Sequence, residues 1–486
     1  MRRAVAAGAA LVVVLSAALT GCGSSSSDTA PPTPAPTGTA VDPGTESSAA
    51  LSTPRRDSVY PDVGGSGVDA LSYDLGLSWD AKHVTLTGNE ALTFRASATA
   101  SSFRLDLAAQ LEVSHVWLDG HTVAFSHPGK DLVVGAPVTS GDRHLLQLTY
   151  SGVPEPVVAP TDRPDFDTTG WTTTSDGSAW TMQEPYGAYS WYAVDDQPAD
   201  KAFYDFTISS PGSMVGIANG ELLSRRAVDG RTVTRWRLPE PASSYLVTIA
   251  IGHYRSTTDT GPHGLPITYW TPTGRPDLVK GLSYTPQAIA YLEGKLGRYP
   301  FPTLGVLLVP SNSAMETQST VTLGIGDYTL SRDVLVHELA HQWYGDEVTP
   351  ADWSDLWMSE GMATYLAEVN WTADHGRQSR RAILTHFKTF VGPMREQYGP
   401  PARYRPGSFG EGNVYYIPAL MWDTIRQRLG DAEFWKLVAA WPRSHRLTSQ
   451  SRDTLAAWWS RQSGQHLTPV FHRWLLSTVE PPYTFR

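Results

Sequence analysis

The stretch VHELAHQWYGDEVTPADWSDLWMSE occupies residues 336–360. Within it, His337 and His341 are four residues apart, so a helix would place both imidazoles one turn apart on the same face. Glu338 directly follows the first histidine. Two neutral imidazoles at this spacing can bind one zinc ion, and the adjoining glutamate can take a proton from water as a general base. The stretch therefore predicts a helix that carries two ligands of a metal site.

A third ligand is available further along the chain. Catalytic zinc usually has three protein ligands, and two histidines with one glutamate are a common set. Glu360 follows His341 by nineteen residues, in a segment whose apolar residues recur with a helical period. A glutamate among such neighbours is costly to bury unless it is paired or coordinated. We therefore predict two helices, joined by a turn over residues 345–350, that bring His337, His341 and Glu360 to one zinc ion per chain.

The two motifs together resemble the zinc aminopeptidases of the aminopeptidase N family. That family carries HExxH, eighteen intervening residues, and then a glutamate in a NEG-like tripeptide, which here is Ser359-Glu360-Gly361. The resemblance implies a thermolysin-like, α+β and mainly helical catalytic domain. It also implies that zinc, with Glu338 as the base, hydrolyses the first peptide bond of substrates that have a free N-terminus.

The sequence SAMET, beginning at Ser313, stands where the family carries Gly-Ala-Met-Glu-Asn. The resemblance implies that Ala314 and Met315 contact the substrate and that Glu316 grips its α-ammonium group. Serine and threonine replace the family's glycine and asparagine, at Ser313 and Thr317. These replacements bear on the backbone contacts around the glutamate more than on the glutamate itself.

Residues 181–208 resemble the segment through which the family's β-domain reaches into the active site. The resemblance implies that Glu184 offers a second acid to the substrate's amino terminus, with Gln183 beside it. The family often has a glutamine two residues before the glutamate, where Met182 stands here. Two carboxylates that converge on one point demand a cation, and a free α-ammonium group satisfies both Glu184 and Glu316.

A tyrosine late in the chain completes the resemblance. Residues 412–425 read GNVYYIPALMWDTI, and the family's counterpart, V-Y-x-K-G-A, points its tyrosine at the zinc site. The valine before it and the alanine four residues after it favour Tyr415 over Tyr416. Ile417 and Pro418 depart from the family pattern. We expect the Tyr415 hydroxyl to stabilise the oxyanion that forms when the carbonyl is attacked.

Zinc-bound histidines normally donate their second ring nitrogen to an oxygen acceptor. Asp346 and Asp355 are both near the motif, and the sequence does not choose between them. The chain also stops where larger family members continue, so we expect a more open site that admits longer peptides.

Length, composition and charge limit the number of domains and the kinds of binding partner that we expect. A length of 486 residues favours two or three domains, and 41% apolar residues are enough for substantial cores. The formal charge is −10 and no basic run is present. We therefore expect no nucleic-acid partner.

The N-terminus reads as an export signal. Residues 1–21 have a charged start and a short apolar run, and they lead to Leu-Thr-Gly-Cys. This ending resembles a bacterial lipobox, which implies that Cys22 is lipidated and anchors the protein at the extracytoplasmic face of the cell membrane. The rest of residues 22–57 is rich in Ser, Thr and Pro and predicts a disordered tether.

The body divides into two predicted domains. Residues 58–262 alternate apolar and polar side chains with period two, which predicts an N-terminal all-β, sandwich-like domain. Residues 263–486 form the predicted catalytic domain, with a helix over about 277–297 and further helical segments after Glu360.

Two other functions fit the same residues. A zinc endopeptidase is favoured if Glu184 points away from the metal. A catalytically weak, peptide-binding lipoprotein is the second alternative, although binding alone needs no base at Glu338.

Overall fold

The period-two segments of the N-terminal half form sheets in the computed structural model, which describes residues 49–485. The predicted signal segment 1–21, the predicted lipidation site Cys22 and residues 23–48 of the predicted tether lie outside the described residues. The strands of this half are β1 (Val68–Asp80), β2 (Thr85–Ala96), β3 (Phe103–Asp106), β4 (Leu111–Leu118), β5 (His121–Thr122), β6 (Ala124–Ser126), β7 (Asp131–Gly135), β8 (Arg143–Gly152), β9 (Val157–Val158), β10 (Thr168–Thr173), β11 (Ala179–Met182), β12 (Lys201–Pro211), β13 (Val215–Ala218), β14 (Glu221–Val228), β15 (Arg231–Ser243) and β16 (Ile249–Gly252).

An eight-stranded sheet dominates this half, in the order β14-β15-β12-β1-β2-β8-β4-β5. In β1, Leu75, Leu77 and Trp79 are fully buried while the residues between them are partly exposed, because successive side chains of a strand point to opposite faces. Trp79 lies opposite Leu86 of β2, which is also buried. A five-stranded sheet, β13-β16-β11-β10-β9, and a three-stranded sheet, β3-β7-β6, complete the half.

The second half begins with a mixed sheet and continues with helices. Its strands are β17 (Tyr254–Thr260), β18 (Pro266–Pro272), β19 (Leu304–Val309), β20 (Ala314–Met315), β21 (Thr320–Gly324), β22 (Val348–Pro350) and β23 (Thr448–Gln450). The order β17-β18-β19-β21-β20 places the two-residue strand β20 at the sheet edge, antiparallel to β21. Strand β17 belongs to this sheet although it precedes residue 262, where we placed the predicted boundary.

The helices follow in chain order. They are α1 (Leu278–Leu282), α2 (Thr285–Leu296), α3 (Arg332–His341), α4 (Trp357–Thr364), α5 (Thr372–Asp374), α6 (Arg380–Lys388), α7 (Val391–Tyr398), α8 (Gly412–Leu429), α9 (Asp431–Ser444), α10 (Arg452–Ser463) and α11 (Thr468–Leu475). A π-helical segment, Tyr365–Trp371, continues α4. Within residues 49–485, no helix is both long enough and apolar enough to cross a bilayer. The mostly-sheet first half followed by a helical second half confirms the predicted fold class.

Residues 49–57, the last part of the predicted tether, pack against the body. Pro54 and Asp57 are buried, and the Asp57 carboxylate accepts hydrogen bonds from the backbone N–H groups of Tyr60 and Trp353. The backbone N–H of Arg55 donates to the side chain of Gln197. The prediction of a disordered tether is therefore wrong for residues 49–57. Polar composition does not distinguish a free segment from one whose backbone forms hydrogen bonds with the surface of a domain.

Candidate active site

The two histidines lie on the last turns of α3. Ser331 caps this helix, because its side chain accepts the backbone N–H of Val334. His337 and His341 are one turn apart, with ring centroids separated by 4.8 Å. The helical spacing therefore places the two predicted ligands on one face of α3.

Glu360 arrives on α4 and faces both rings. Its Oε2 lies 3.0 Å from Nε2 of His337 and 3.3 Å from Nε2 of His341. The structure thus brings together the three residues predicted as ligands, although they span 23 positions of the chain. Burial would raise the pKa of Glu360, but the two histidines more than offset this effect and hold it below its usual range.

The donor set fits a zinc ion. Two imidazole nitrogens and a carboxylate oxygen are the ligands zinc prefers, and in this group each residue's ligand atom lies within 4.8 Å of the others. Burial lowers the pKa of His341, whereas Glu360 and Glu316 raise it further than burial lowers it. This excess of negative charge favours any cation at the site, whether a proton or a metal ion.

The second ring nitrogen of His341 is fixed by the backbone. Its Nδ1 lies 3.0 Å from the carbonyl oxygen of Tyr344, so neither Asp346 nor Asp355 is its acceptor. Asp346 accepts a hydrogen bond from Gln342, and Asp355 accepts hydrogen bonds from Arg452. The acceptor is a backbone carbonyl three residues along the chain, which the sequence alone does not show.

Helix α4, which carries Glu360, packs closely on α8, which carries the predicted oxyanion donor Tyr415. A Cβ added at Gly361 would lie 2.3 Å from Cβ of Pro418, so only glycine permits this approach. Helix α8 begins at Gly412, ahead of Pro418, and carries Tyr415 towards His337, with ring centroids 5.9 Å apart. Burial and the charge of Glu360 raise the pKa of Tyr415, which keeps its hydroxyl protonated as a hydrogen-bond donor.

Glu184 and Glu316, named the acid pair below, lie next to the metal-site residues. Carboxylate oxygens of Glu184, Glu316 and Glu360 lie within 4.8 Å of one another. Oε1 of Glu184 and Oε1 of Glu316 are buried and have no hydrogen-bond partner. Burial and the charge of Glu360 raise the pKa of both carboxyl groups, and the charge of Glu316 raises that of Glu184 further.

Glu316 is held by its contacts with α3 and with strand β20. Gln342, which directly follows α3, donates from Nε2 to the backbone oxygen of Glu316 at 2.8 Å. Ala314 and Met315 form the edge strand β20 that precedes Glu316, and both line the same cavity. The end of α3 and the edge strand β20 are thereby fixed to each other.

Gln183 does not lie where we expected a substrate contact. Its side chain is fully buried, donates to the backbone oxygen of Ser244 and accepts a hydrogen bond from the indole of Trp191. Neighbours along an extended segment point in opposite directions, so Glu184 and Met182 line the cavity while Gln183 points away from it.

The metal-site residues, the acid pair and Tyr415 line one cavity of about 790 Å³, which Glu338 also lines. Burial raises the pKa of the Glu338 carboxyl, which suits a general base. The cavity residues that the sequence did not predict include Arg163, which contacts Tyr415, and Glu368 of the π-helical segment. No local motif marks either of them.

Comparisons with known proteins agree with this arrangement. Residues 69–246 match the model of the peptidase M1 N-terminal domain, and residues 281–398 match the model of the peptidase family M1 domain. Together the two matches cover more than half of the chain. Fold and site define a two-domain zinc-metallopeptidase architecture.

The chain belongs to peptidase family M1. Solved structures of a two-domain M1 zinc metallopeptidase are similar to it. In one, a mutant from Deinococcus radiodurans bound to a Tyr-Ser-Ala substrate, the identity is 26%, the TM-score is 0.77, and the match covers 88% of this chain and 98% of that one. Another, a mutant bound to L-tryptophan, has a TM-score of 0.78, an identity of 26% and the same coverage of both chains.

Curated relatives are longer. Aminopeptidase 2 of Candida albicans is 26% identical over 325 residues, which are 62% of this chain and 34% of that protein. Glutamyl aminopeptidase of Sus scrofa is 29% identical over 226 residues, which are 42% of this chain and 24% of that protein. The chain therefore spans about a third or less of the length of these two relatives.

Proposed function

We propose that this protein is a zinc aminopeptidase that removes N-terminal residues from peptides with a free amino terminus and holds one zinc ion per chain. The observation that carries the proposal is the acid pair. A buried carboxylate without a partner is costly, and Glu184 and Glu316 each have one unpartnered oxygen beside the His337–His341–Glu360 cluster. An α-ammonium group of a substrate would supply the missing donors.

The chain's residues then divide the work. The two histidines and Glu360 would hold zinc, which would supply Lewis-acid chemistry to the scissile carbonyl and to the attacking water. Glu338 takes a proton from the attacking water and delivers it to the leaving amine. Tyr415 donates a hydrogen bond to the carbonyl oxygen as negative charge develops on it. The acid pair fixes the first residue so that the first peptide bond is the one presented.

The acid pair also explains why the proposal names an exopeptidase. An internal peptide bond would leave both carboxylates facing an uncharged chain, at a cost of several kcal/mol. A zinc endopeptidase would be favoured by a Glu184 that points away from the metal site, and its carboxylate lies within 4.8 Å of that of Glu360. No described contact favours the endopeptidase or the binding-only function.

The test uses the full chain with stoichiometric zinc. Amino-acid release from an unblocked peptide and from the same peptide acetylated at its N-terminus is compared for wild type and Glu338→Gln. We expect release from the unblocked peptide by the wild type alone. Equal cleavage of both peptides by the wild type would refute the aminopeptidase proposal, as would full activity of Glu338→Gln.

We also propose that the protein acts at the extracytoplasmic face of the membrane, held there by a lipid on Cys22. The support is the lipobox-like Leu-Thr-Gly-Cys sequence. Cells grown with a labelled fatty acid should yield labelled wild-type protein in the membrane fraction, and Cys22→Ser should remain unlabelled. A labelled Cys22→Ser protein, or an unlabelled wild type, would rule the anchor out.

A further inference from the structure

A loop of the first half reaches into the second half beside Tyr415. The loop follows β9 and spans residues 159–167. The backbone N–H of Phe409 donates to the oxygen of Pro160 at 3.0 Å, and the hydroxyl of Thr161 donates to the oxygen of Phe409 at 2.8 Å. These hydrogen bonds fix the loop to the segment that directly precedes α8, the helix that carries Tyr415.

Arg163 is the residue that this loop delivers to the cavity. Its Nη1 donates to the backbone oxygen of Gly410 at 2.8 Å and to the hydroxyl oxygen of Tyr415 at 3.2 Å. On its other side, Nε and Nη2 donate to the two carboxylate oxygens of Asp165, at 3.1 and 2.5 Å. A bidentate pair of this kind fixes the plane of the guanidinium group. Arg163, Asp165 and Tyr415 are named the tyrosine clamp below.

The hydrogen bond has a direction, and the direction matters for catalysis. A phenol oxygen carries one hydrogen and accepts through its lone pairs. Because the Tyr415 oxygen accepts from Arg163, its own hydrogen must point away from Arg163. A charged donor also polarises the group that accepts from it, which strengthens the next hydrogen bond in the chain.

We propose that Arg163 is a positioning residue for the peptidase reaction, holding the Tyr415 hydroxyl so that its hydrogen points at the carbonyl oxygen on which negative charge develops. The proposal rests on the function proposed above. Arg163 touches neither the reacting atoms nor the metal site in this scheme, and it acts only through the tyrosine.

A different role for the same arginine is binding the C-terminal carboxylate of a short peptide. The described contacts oppose it. The charge of Arg163 is matched by Asp165, and its three nitrogens already donate to Asp165, Gly410 and Tyr415. A carboxylate receptor would instead keep an unmatched charge, so the two roles make different predictions.

The test is a double-mutant cycle with a leucyl anilide, which has no carboxylate. Arg163→Met should lower kcat about 10-fold, the loss of one charge-assisted hydrogen bond, while KM changes less than about twofold. In the Tyr415→Phe background the same substitution should cost nothing further. Arg163→Lys should recover part of the loss, and Arg226→Met, an exposed arginine of β14, should match the wild type.

Two measurements do not depend on turnover. Zinc content should match the wild type for Arg163→Met, and its melting temperature should stay well above the assay temperature although Asp165 and Gly410 lose a donor. Affinity for an aminophosphonate, a stable tetrahedral anion, should fall by about the same factor as kcat. Asp165→Asn keeps the arginine but weakens the ion pair that fixes its orientation. This variant should show smaller losses of kcat and of aminophosphonate affinity, and it replaces Arg163→Met if that variant misfolds.

Each contrary outcome has a definite meaning. Equal losses in both backgrounds would overturn the proposal, as would a loss confined to KM. A loss seen only with peptides that carry a free carboxylate would establish the receptor role instead. An inactive, zinc-loaded wild type would refute the proposed function and this inference together, whereas an active wild type with a fully active Arg163→Met would refute this inference alone.

Discussion

The acid pair and the tyrosine clamp differ in whether their hydrogen bonds are already made. Glu184 and Glu316 each have a buried carboxylate oxygen without a hydrogen-bond partner. The Tyr415 oxygen, in contrast, already accepts a hydrogen bond from Arg163, whose guanidinium group is held by Asp165. Both groups line one cavity. The acid pair is completed only by a cation that enters, while the clamp is complete beforehand. The difference separates binding, which needs unsatisfied groups, from stabilisation of a transition state, which needs groups oriented in advance.

The largest expected effect lies in neither group. Glu338→Gln removes the proposed general base, so kcat should fall by about 10²–10⁴ with KM and zinc content unchanged. Steady-state kinetics with a leucyl anilide, together with metal analysis, measures this. Residual activity within tenfold of the wild type would show that another group accepts the proton.

Tyr415→Phe tests the clamp. Loss of one oxyanion donor should lower kcat by about 10²–10³ and leave KM nearly unchanged, since the ground-state carbonyl gains little from the donor. Tyr416→Phe is the matched control, because Tyr416 also lines the cavity but packs against Phe387. Equal losses in the two variants would remove the distinction between the tyrosines.

Glu316→Gln tests the acid pair, and here KM should change. Replacing one of two carboxylates by a neutral amide should raise KM about 10- to 100-fold for unblocked substrates, because a charged partner of the ammonium group is lost. The preference for unblocked over acetylated peptides should shrink accordingly. The exposed control Glu112→Gln should leave both values unchanged. A purely kcat effect would contradict the division between binding and catalysis.

The smallest expected effect is on stability and comes from Lys201. Lys201 is buried and donates to the backbone oxygen of Asp346, and burial, partly offset by Asp346 and Glu347, lowers its pKa to about 7. Between about pH 7 and pH 10.5, Lys201 is deprotonated in the folded protein but still protonated in the unfolded chain. Lys201 therefore makes the free energy of unfolding rise with pH over this range. Between pH 7 and pH 8 the rise should be about 1 kcal/mol.

Urea unfolding of wild type and Lys201→Met at both pH values isolates this effect, because any loss of the hydrogen bond is the same at each pH. The difference in unfolding free energy between the two proteins should change by about 1 kcal/mol on going from pH 7 to pH 8. A constant difference would mean that Lys201 is hydrated and charged throughout.

The sequence predicted what is local. The metal-site residues follow from helical spacing and one short connection, and the alternation of β1 follows from period two. Long-range placement was not accessible: Arg163 and Tyr415 are 252 positions apart, and nothing in either segment names the other. Gln183 was misplaced because a sequence motif does not show which face of an extended segment a residue occupies.

Helix boundaries show the same limit on a smaller scale. The apolar pattern predicted one helix over about 277–297, and the structure has two, α1 and α2. Pro286 lies in the first turn of α2, where its missing N–H leaves no helical bond unmade. A proline between two apolar segments marks a new helix start, and periodicity alone joins the segments across it.

The contact between the 159–167 loop and the segment before α8 has a consequence for how this molecule can be taken apart. Glu184 and Arg163 come from the half that precedes residue 262, and the metal-site residues and Tyr415 come from the half that follows. A fragment containing the second half alone would contain His337, His341, Glu360 and Tyr415. It would lack Glu184 and the arginine that donates to the Tyr415 hydroxyl. The candidate site is therefore built from both halves, and neither half contains all of its residues.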